Sequence, residues 1–190
     1  MPKLLIVGDT HIPTRAKSIP EIMLKIIDEN KPYDYVFFTG DLVSESVLEF
    51  FKKLGSKAYF VRGNMDYLSL PEYVVEEVSN IKIGLIHGDQ VYPRGDVEGL
   101  LRIARNLKVN VLINGHTHYL RIIAADNTLL VNPGSLTGVW SGGYASMRPS
   151  MIIGYVEESG KIRLVSYEVY GKKLKREERI FQLKELTWPS

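Results

Sequence analysis

The sequence has no cysteine and only two glutamines, Gln90 and Gln182. The first absence excludes disulfides and thiolate metal sites and makes a cytoplasmic protein the expectation. The second, beside many Lys and Glu, is a composition shared with thermophilic proteins. Long apolar runs are missing too, since no segment approaches the roughly 18–20 residues of a membrane span. The apolar run that follows Met1 is too short for the hydrophobic part of a signal peptide and leads straight into a motif, so neither a cleavable leader nor a membrane partner is expected. Nor is there an excess of one charge. The net charge is +2 and is spread along the chain, which indicates no nucleic-acid partner and requires any phosphate binding to be local.

At 190 residues, with 45% apolar and 24% charged, the chain can bury the core of one globular domain spanning residues 1–190. Apolar runs rich in β-branched and aromatic residues read as buried strands: Lys3–Val7, Tyr35–Phe38, Ala58–Val61, Ile81–Ile86, Val109–Ile113 and Leu129–Val131. Helical spacing appears over Ile19–Glu29, Glu45–Leu54 and Val97–Leu107. This βαβα order predicts an α/β fold with a parallel sheet. After Ile113 the pattern turns strand-like, through Tyr119–Ala125, Ser150–Val156 and Lys161–Val169, and predicts a second, more antiparallel sheet. Two mixed β-sheets face to face, each flanked by helices, give a four-layer αββα sandwich. Asn132–Pro149, rich in glycine, reads as a long surface loop, and Lys172–Leu183 as a solvated terminal strand or helix.

There are four histidines, and all fall in short motifs with acids or amides: Asp9-Thr-His11, His87-Gly88-Asp89 and Gly115-His116-Thr-His118. Gly40-Asp41 and Gly63-Asn64 lie between them. Each candidate follows a predicted strand, so the C-terminal sheet edge would gather them into one cluster. Singly, each has a plain explanation. Asp41 suits a helix N-cap, Asn64 a turn, and His87 the end of a strand. Residues two apart in extended backbone project to one side, which would let both members of Asp9/His11 and of His116/His118 face one site. Seven ligand side chains exceed what one ion usually takes, so two divalent metals with one bridging carboxylate are implied. Mixed imidazole, carboxylate and amide ligation suits Mn first, with Fe, Ni and Zn feasible.

Taken in order, these motifs resemble the signature of the calcineurin-like metallophosphoesterases. Asn132-Pro-Gly-Ser135 and the chain length are similar to the small YfcE-type phosphodiesterases. His87–Asp96 and Gly115–Ser135 also resemble the phosphoesterase-fold subunit of retromer, a scaffold. The resemblance implies a four-layer αββα sandwich with Asp9, His11 and His118 on one metal, Asn64, His87 and His116 on the other, and Asp41 bridging. Where many members have Gly-Asn-His-Asp/Glu, this chain has Gly63-Asn64-Met65-Asp66, so the histidine near the leaving group is missing.

The expected function is hydrolysis of a small phosphate ester, more specifically a diester, by a hydroxide bridging two metal ions without a covalent intermediate. With Met65 in place of histidine, the proton for the leaving group must come from water, the metal shell or Asp66, and Asp66 can equally be read as a turn residue. The alternative is a scaffold that keeps the fold to bind protein partners. Tyr92, Trp140 and Tyr144 could form such a surface, line the cleft or pack in the core, and a homodimer is compatible with either reading.

Overall fold

The computed structural model of the protein describes residues 1–183; residues 184–190, the end of the expected domain, lie outside it. The chain opens with β1 (Lys3–Val7), α1 (Glu21–Glu29), β2 (Tyr33–Phe38), α2 (Glu45–Lys52) and β3 (Gly55–Phe60). β1, β2 and β3 run parallel, with Leu4 opposite Tyr35 and Tyr35 opposite Lys57. α2 starts at Ser44, whose hydroxyl accepts the N–H of Val47, the usual N-cap arrangement. Both α1 and α2 begin later or end earlier than their apolar spacing predicts.

Next come β4 (Tyr73–Val78), β5 (Ile81–Ile86), α3 (Val97–Leu107), β6 (Val111–Ile113), β7 (Leu120–Ala125) and β8 (Thr128–Pro133). The chain closes with β9 (Ser150–Val156), β10 (Lys161–Tyr170) and β11 (Lys173–Gln182). β4 is absent from the sequence reading. It is a half-exposed strand that joins β5 through Ser79 and Asn80, both at positive φ (48° and 65°), the geometry a tight hairpin demands.

The sheets are ordered β11-β10-β9-β1-β2-β3 and β4-β5-β6-β8-β7. The expected split into an early and a late sheet is therefore wrong. β9 returns to pair antiparallel with β1, while β5 and β6 join β8 and β7. The physical reason is that β1 and β9 are apolar on both faces, and such strands need central positions. Leu5, Val7, Val36, Phe38 and Ile153 pack against Met23, Ile27 and Phe51 of the helices. The alternate residues Leu4, Ile6, Phe37 and Ile152 meet Ile83, Leu85, Val111 and Val131 of the second sheet. On that sheet's far side Leu112 and Leu130 pack against Leu100, Leu101 and Ala104 of α3. Helix, sheet, sheet, helix is the four-layer sandwich that the sequence predicts. A one-residue slip in β1 would exchange its two cores.

The expected surface loop is only partly one. Gly134, Ser135 and Leu136 are buried, and the Leu136 N–H donates to Gly8 O at 3.0 Å, so this stretch is tied to the end of β1. The tail is the strand of the two options, paired with β10 along its whole length at the sheet edge. Its Lys, Arg and Glu side chains discourage further strand addition.

Candidate metal centre

Asp9 and His11 follow β1, Asp41 follows β2, Asn64 follows β3, His87 follows β5, and His116 and His118 follow β6. Their loops are stitched edge to edge. Asp9 N–H donates to Gly40 O, His11 N–H to Asp41 O and Gly115 N–H to His87 O, at 2.7–3.0 Å. All seven candidates come together, but not through extended backbone. Asp9, His11, Asp41, His116 and His118 have φ of 50°, 48°, 55°, 66° and 55°, so each pair turns sharply rather than alternating along a strand. Left-handed backbone at non-glycine residues is strained, and such strain gathers at functional sites. Gly63 is required where it is, because a Cβ there would strike the Asp41 carboxylate.

Two sub-clusters share Asp41. In the first, His118 Nε2 lies 3.3 Å from Asp9 Oδ1 and 3.1 Å from His11 Nε2, and His11 Nε2 lies 3.1 Å from Asp41 Oδ2. These four residues are buried and offer ligand atoms within 4.8 Å of one another. In the second, His87 Nε2 lies 3.1 Å from Asn64 Oδ1, 3.2 Å from His116 Nδ1 and 3.6 Å from Asp41 Oδ2. Asn64 is exposed and His116 half-buried, so this side faces solvent. The His87 Nδ1–H donates to Thr39 O and the His118 Nδ1–H to Val139 O, each at 2.7 Å. Those bonds leave both Nε2 lone pairs aimed inward at other acceptors. Lone pairs converging at about 3 Å repel unless a cation lies among them, so this donor set fits divalent metal.

The charges agree. Burial would raise the Asp41 carboxyl, but the His11 hydrogen bond, the His87 charge and the Met65 N–H hold it at about 2. Burial, with His87 and Arg94 nearby, lowers His116 to about 4, so its imidazole is neutral at pH 7. Burial also works against a charged His118, yet Asp9 and Val139 O outweigh it and raise its pKa.

Residues 3–158 match the family model of the calcineurin-like phosphoesterase superfamily domain. The chain belongs to the calcineurin-like phosphoesterase superfamily. It is 42% identical over 132 residues to a probable metallophosphoesterase of Methanocaldococcus jannaschii, covering 70% of this chain and 67% of that one. Its structure is similar to vacuolar protein sorting 29 from Cryptosporidium parvum (TM-score 0.91, 31% identity, 95% of this chain and 98% of that one). It also resembles Vps29 from Entamoeba histolytica complexed with zinc (TM-score 0.86, 31% identity, 94% and 98%).

Around this candidate centre the structure places several groups to which sequence reasoning assigned no role at the site. Thr39 supplies its carbonyl to His87 and its hydroxyl to Asp9 Oδ2 at 3.3 Å. The Ser135 hydroxyl donates to Asp9 O at 2.7 Å. Asn132 Nδ2 reaches Gly115 O at 2.9 Å, and Arg94 Nη2 donates to His116 O at 2.6 Å. The signal for Thr39 was a polar residue interrupting an apolar strand end, while Asn132, Ser135 and Arg94 lay in the stretches that carry the family resemblance. Asp66 accepts backbone N–H groups from Asp41, Gly63 and Val43 at 2.8–2.9 Å, and its pKa is raised chiefly by burial. Met65 is 43% exposed at the rim. Tyr92, Trp140 and Tyr144 are all exposed, which removes the core-packing reading for them.

Proposed function

We propose that the chain is a phosphodiesterase using two divalent cations, one held by Asp9, His11 and His118, the other by Asn64, His87 and His116, with Asp41 shared. The observation that carries this is the reach of one carboxylate, since Asp41 Oδ2 stands 3.1 Å from His11 Nε2 and 3.6 Å from His87 Nε2. When bound, such a pair supplies a water nucleophile at neutral pH and neutralises phosphoryl charge. The protein's part is to hold the imidazoles and the two carboxylates, Asp9 and Asp41, in place. The nearby hydroxyls of Thr39 and Ser135 are engaged with Asp9, which supports direct attack by water over a covalent intermediate. Met65 has no proton to give, and both Asp66 oxygens accept backbone N–H groups, so substrates with good leaving groups are favoured. Mn is the first choice of metal, with Ni, Fe and Zn next. The absence of cysteine favours a cytoplasmic setting.

The test is hydrolysis of a chromogenic diester and its matching monoester by metal-stripped protein, with Mn, Ni, Zn and Mg restored in turn. Metal-dependent turnover favouring the diester is expected, and folded protein inert with every metal rejects the reading.

A protein-binding scaffold is the second reading, favoured by the near full-length similarity to vacuolar protein sorting 29. Tyr92, 90% exposed, would belong to such a surface. Because the Entamoeba relative is described with zinc, metal occupancy suits both readings, and turnover separates them.

A further inference from the structure

A second cavity shares the histidine loop and takes no part in the hydrolysis proposed above. It has a volume of about 310 Å³, and Arg94, Tyr119, Arg121, Ile123, Leu130 and Tyr144 contribute to its wall. Thr117, between His116 and His118, lines it as well, so one loop carries two proposed metal ligands and closes part of this cavity. Apolar side chains here sit beside two guanidinium groups. Arg94 Nη2 donates to His116 O at 2.6 Å and to Ser141 O at 3.0 Å. Its Nε–H, however, is buried with no partner among the described residues. A buried donor left unpaired is unfavourable, and this one belongs to a cation at a cavity. Arg121 is exposed and, among the described residues, makes only a long contact, 3.5 Å, to Gly95 O. The rings of Tyr119 and Tyr144 lie 5.8 Å apart, tilted by 35°.

The geometry points to a binding site for a small aromatic anion of mononucleotide size, its ring against the tyrosines and apolar wall and its phosphate on Arg94 and Arg121. A purely apolar ligand would leave the two guanidinium charges without an anion, and a bare inorganic anion would leave the apolar wall uncovered. A flat ring offers Tyr119 and Tyr144 an offset or edge contact. None of the lining side chains is a proposed metal ligand, so this site stands independently of the phosphodiesterase reading.

Calorimetric titration of adenosine monophosphate, adenosine and inorganic phosphate into the protein tests it, once with Mn and once after chelation. Saturable binding of the nucleotide in both states is expected, with adenosine and phosphate each weaker by about tenfold or more. Ile123→Trp, which fills the cavity, and Arg121→Gln, which removes an exposed cation, should each weaken the nucleotide about tenfold while diester hydrolysis is unchanged. Nucleotide binding that vanishes on chelation would assign it to the metals and overturn the site. So would affinity unmoved by both variants, no saturable binding, or adenosine binding as well as its phosphate. Loss of esterase turnover bears on the metal reading alone.

Discussion

Asp41 and Asp66 clasp each other's loops. Asp66 Oδ2 accepts the backbone N–H of Asp41 at 2.8 Å, and Asp41 Oδ1 accepts the N–H of Met65, the neighbour of Asp66, also at 2.8 Å. Three backbone N–H groups converge on Asp66 in all, which makes it a positioning residue for the shared carboxylate. Asp66→Ala should cost about 3 kcal/mol of stability, because buried donors lose a charged acceptor, while Asp66→Asn should cost less. Urea unfolding measures both. If Asp66 only positions, Asp66→Asn lowers hydrolysis of activated and unactivated diesters in equal proportion. A loss confined to poor leaving groups would instead make it the proton donor.

The convergence of the candidate ligands was legible because each stands just past an apolar β run, and strand ends of one sheet edge converge whatever the order of the strands. Their backbone was not legible. Nothing in Asp9-Thr-His11 announces that both residues take positive φ, because that conformation is imposed by bonds to Gly40 O and Asp41 O across the sheet edge. Thr39 and Val139 orient His87 and His118 through main-chain carbonyls, which carry no side-chain identity for a sequence reading to find. The sheet assignment failed for a related reason. A near-continuous apolar run shows that β9 is buried on two faces, but pairing with β1 is a long-range choice that local pattern does not encode.

Asp41→Ala should abolish diesterase activity, with a loss on the order of a thousandfold or more, while circular dichroism stays that of the wild type. The fold rests on the three apolar clusters, none of which includes Asp41. Asp41→Asn keeps an acceptor for the Met65 N–H and removes the anion, so it separates loop geometry from charge. Metal-loaded Asp41→Ala protein that retains activity would sink the shared-carboxylate arrangement.

Met65→His should raise hydrolysis of diesters with poor leaving groups more than of activated ones. Met65 stands beside Asn64 and its side chain is exposed at the rim, so an imidazole there meets little steric resistance and brings a proton near the departing oxygen. General acid assistance is worth about 10²–10⁴-fold where it is fully expressed, and a partial gain of about tenfold is a reasonable expectation for an unsupported histidine. A series of diesters graded by leaving-group pKa measures it. Equal gains across the series would mean that the substitution acts through binding or metal affinity instead.

Ser135 ties the candidate metal centre to the start of the long β8–β9 connection. Its hydroxyl donates to Asp9 O at 2.7 Å and accepts the N–H groups of Gly138 and Val139 at 3.0 and 3.3 Å. Val139 O in turn receives the His118 Nδ1–H at 2.7 Å. One buried hydroxyl therefore fixes both the backbone of one proposed ligand and the carbonyl that orients another. Ser135→Ala deletes that link with no steric penalty, leaving two donors and a carbonyl short of partners. A loss of about 2 kcal/mol in stability is expected, with metal affinity lowered about 10–100-fold, the range for residues that orient a ligand from behind. Metal titration followed by calorimetry checks it. If His118 keeps its orientation through Asp9 alone, affinity will hold while stability falls, and the coupling through Val139 would be refuted.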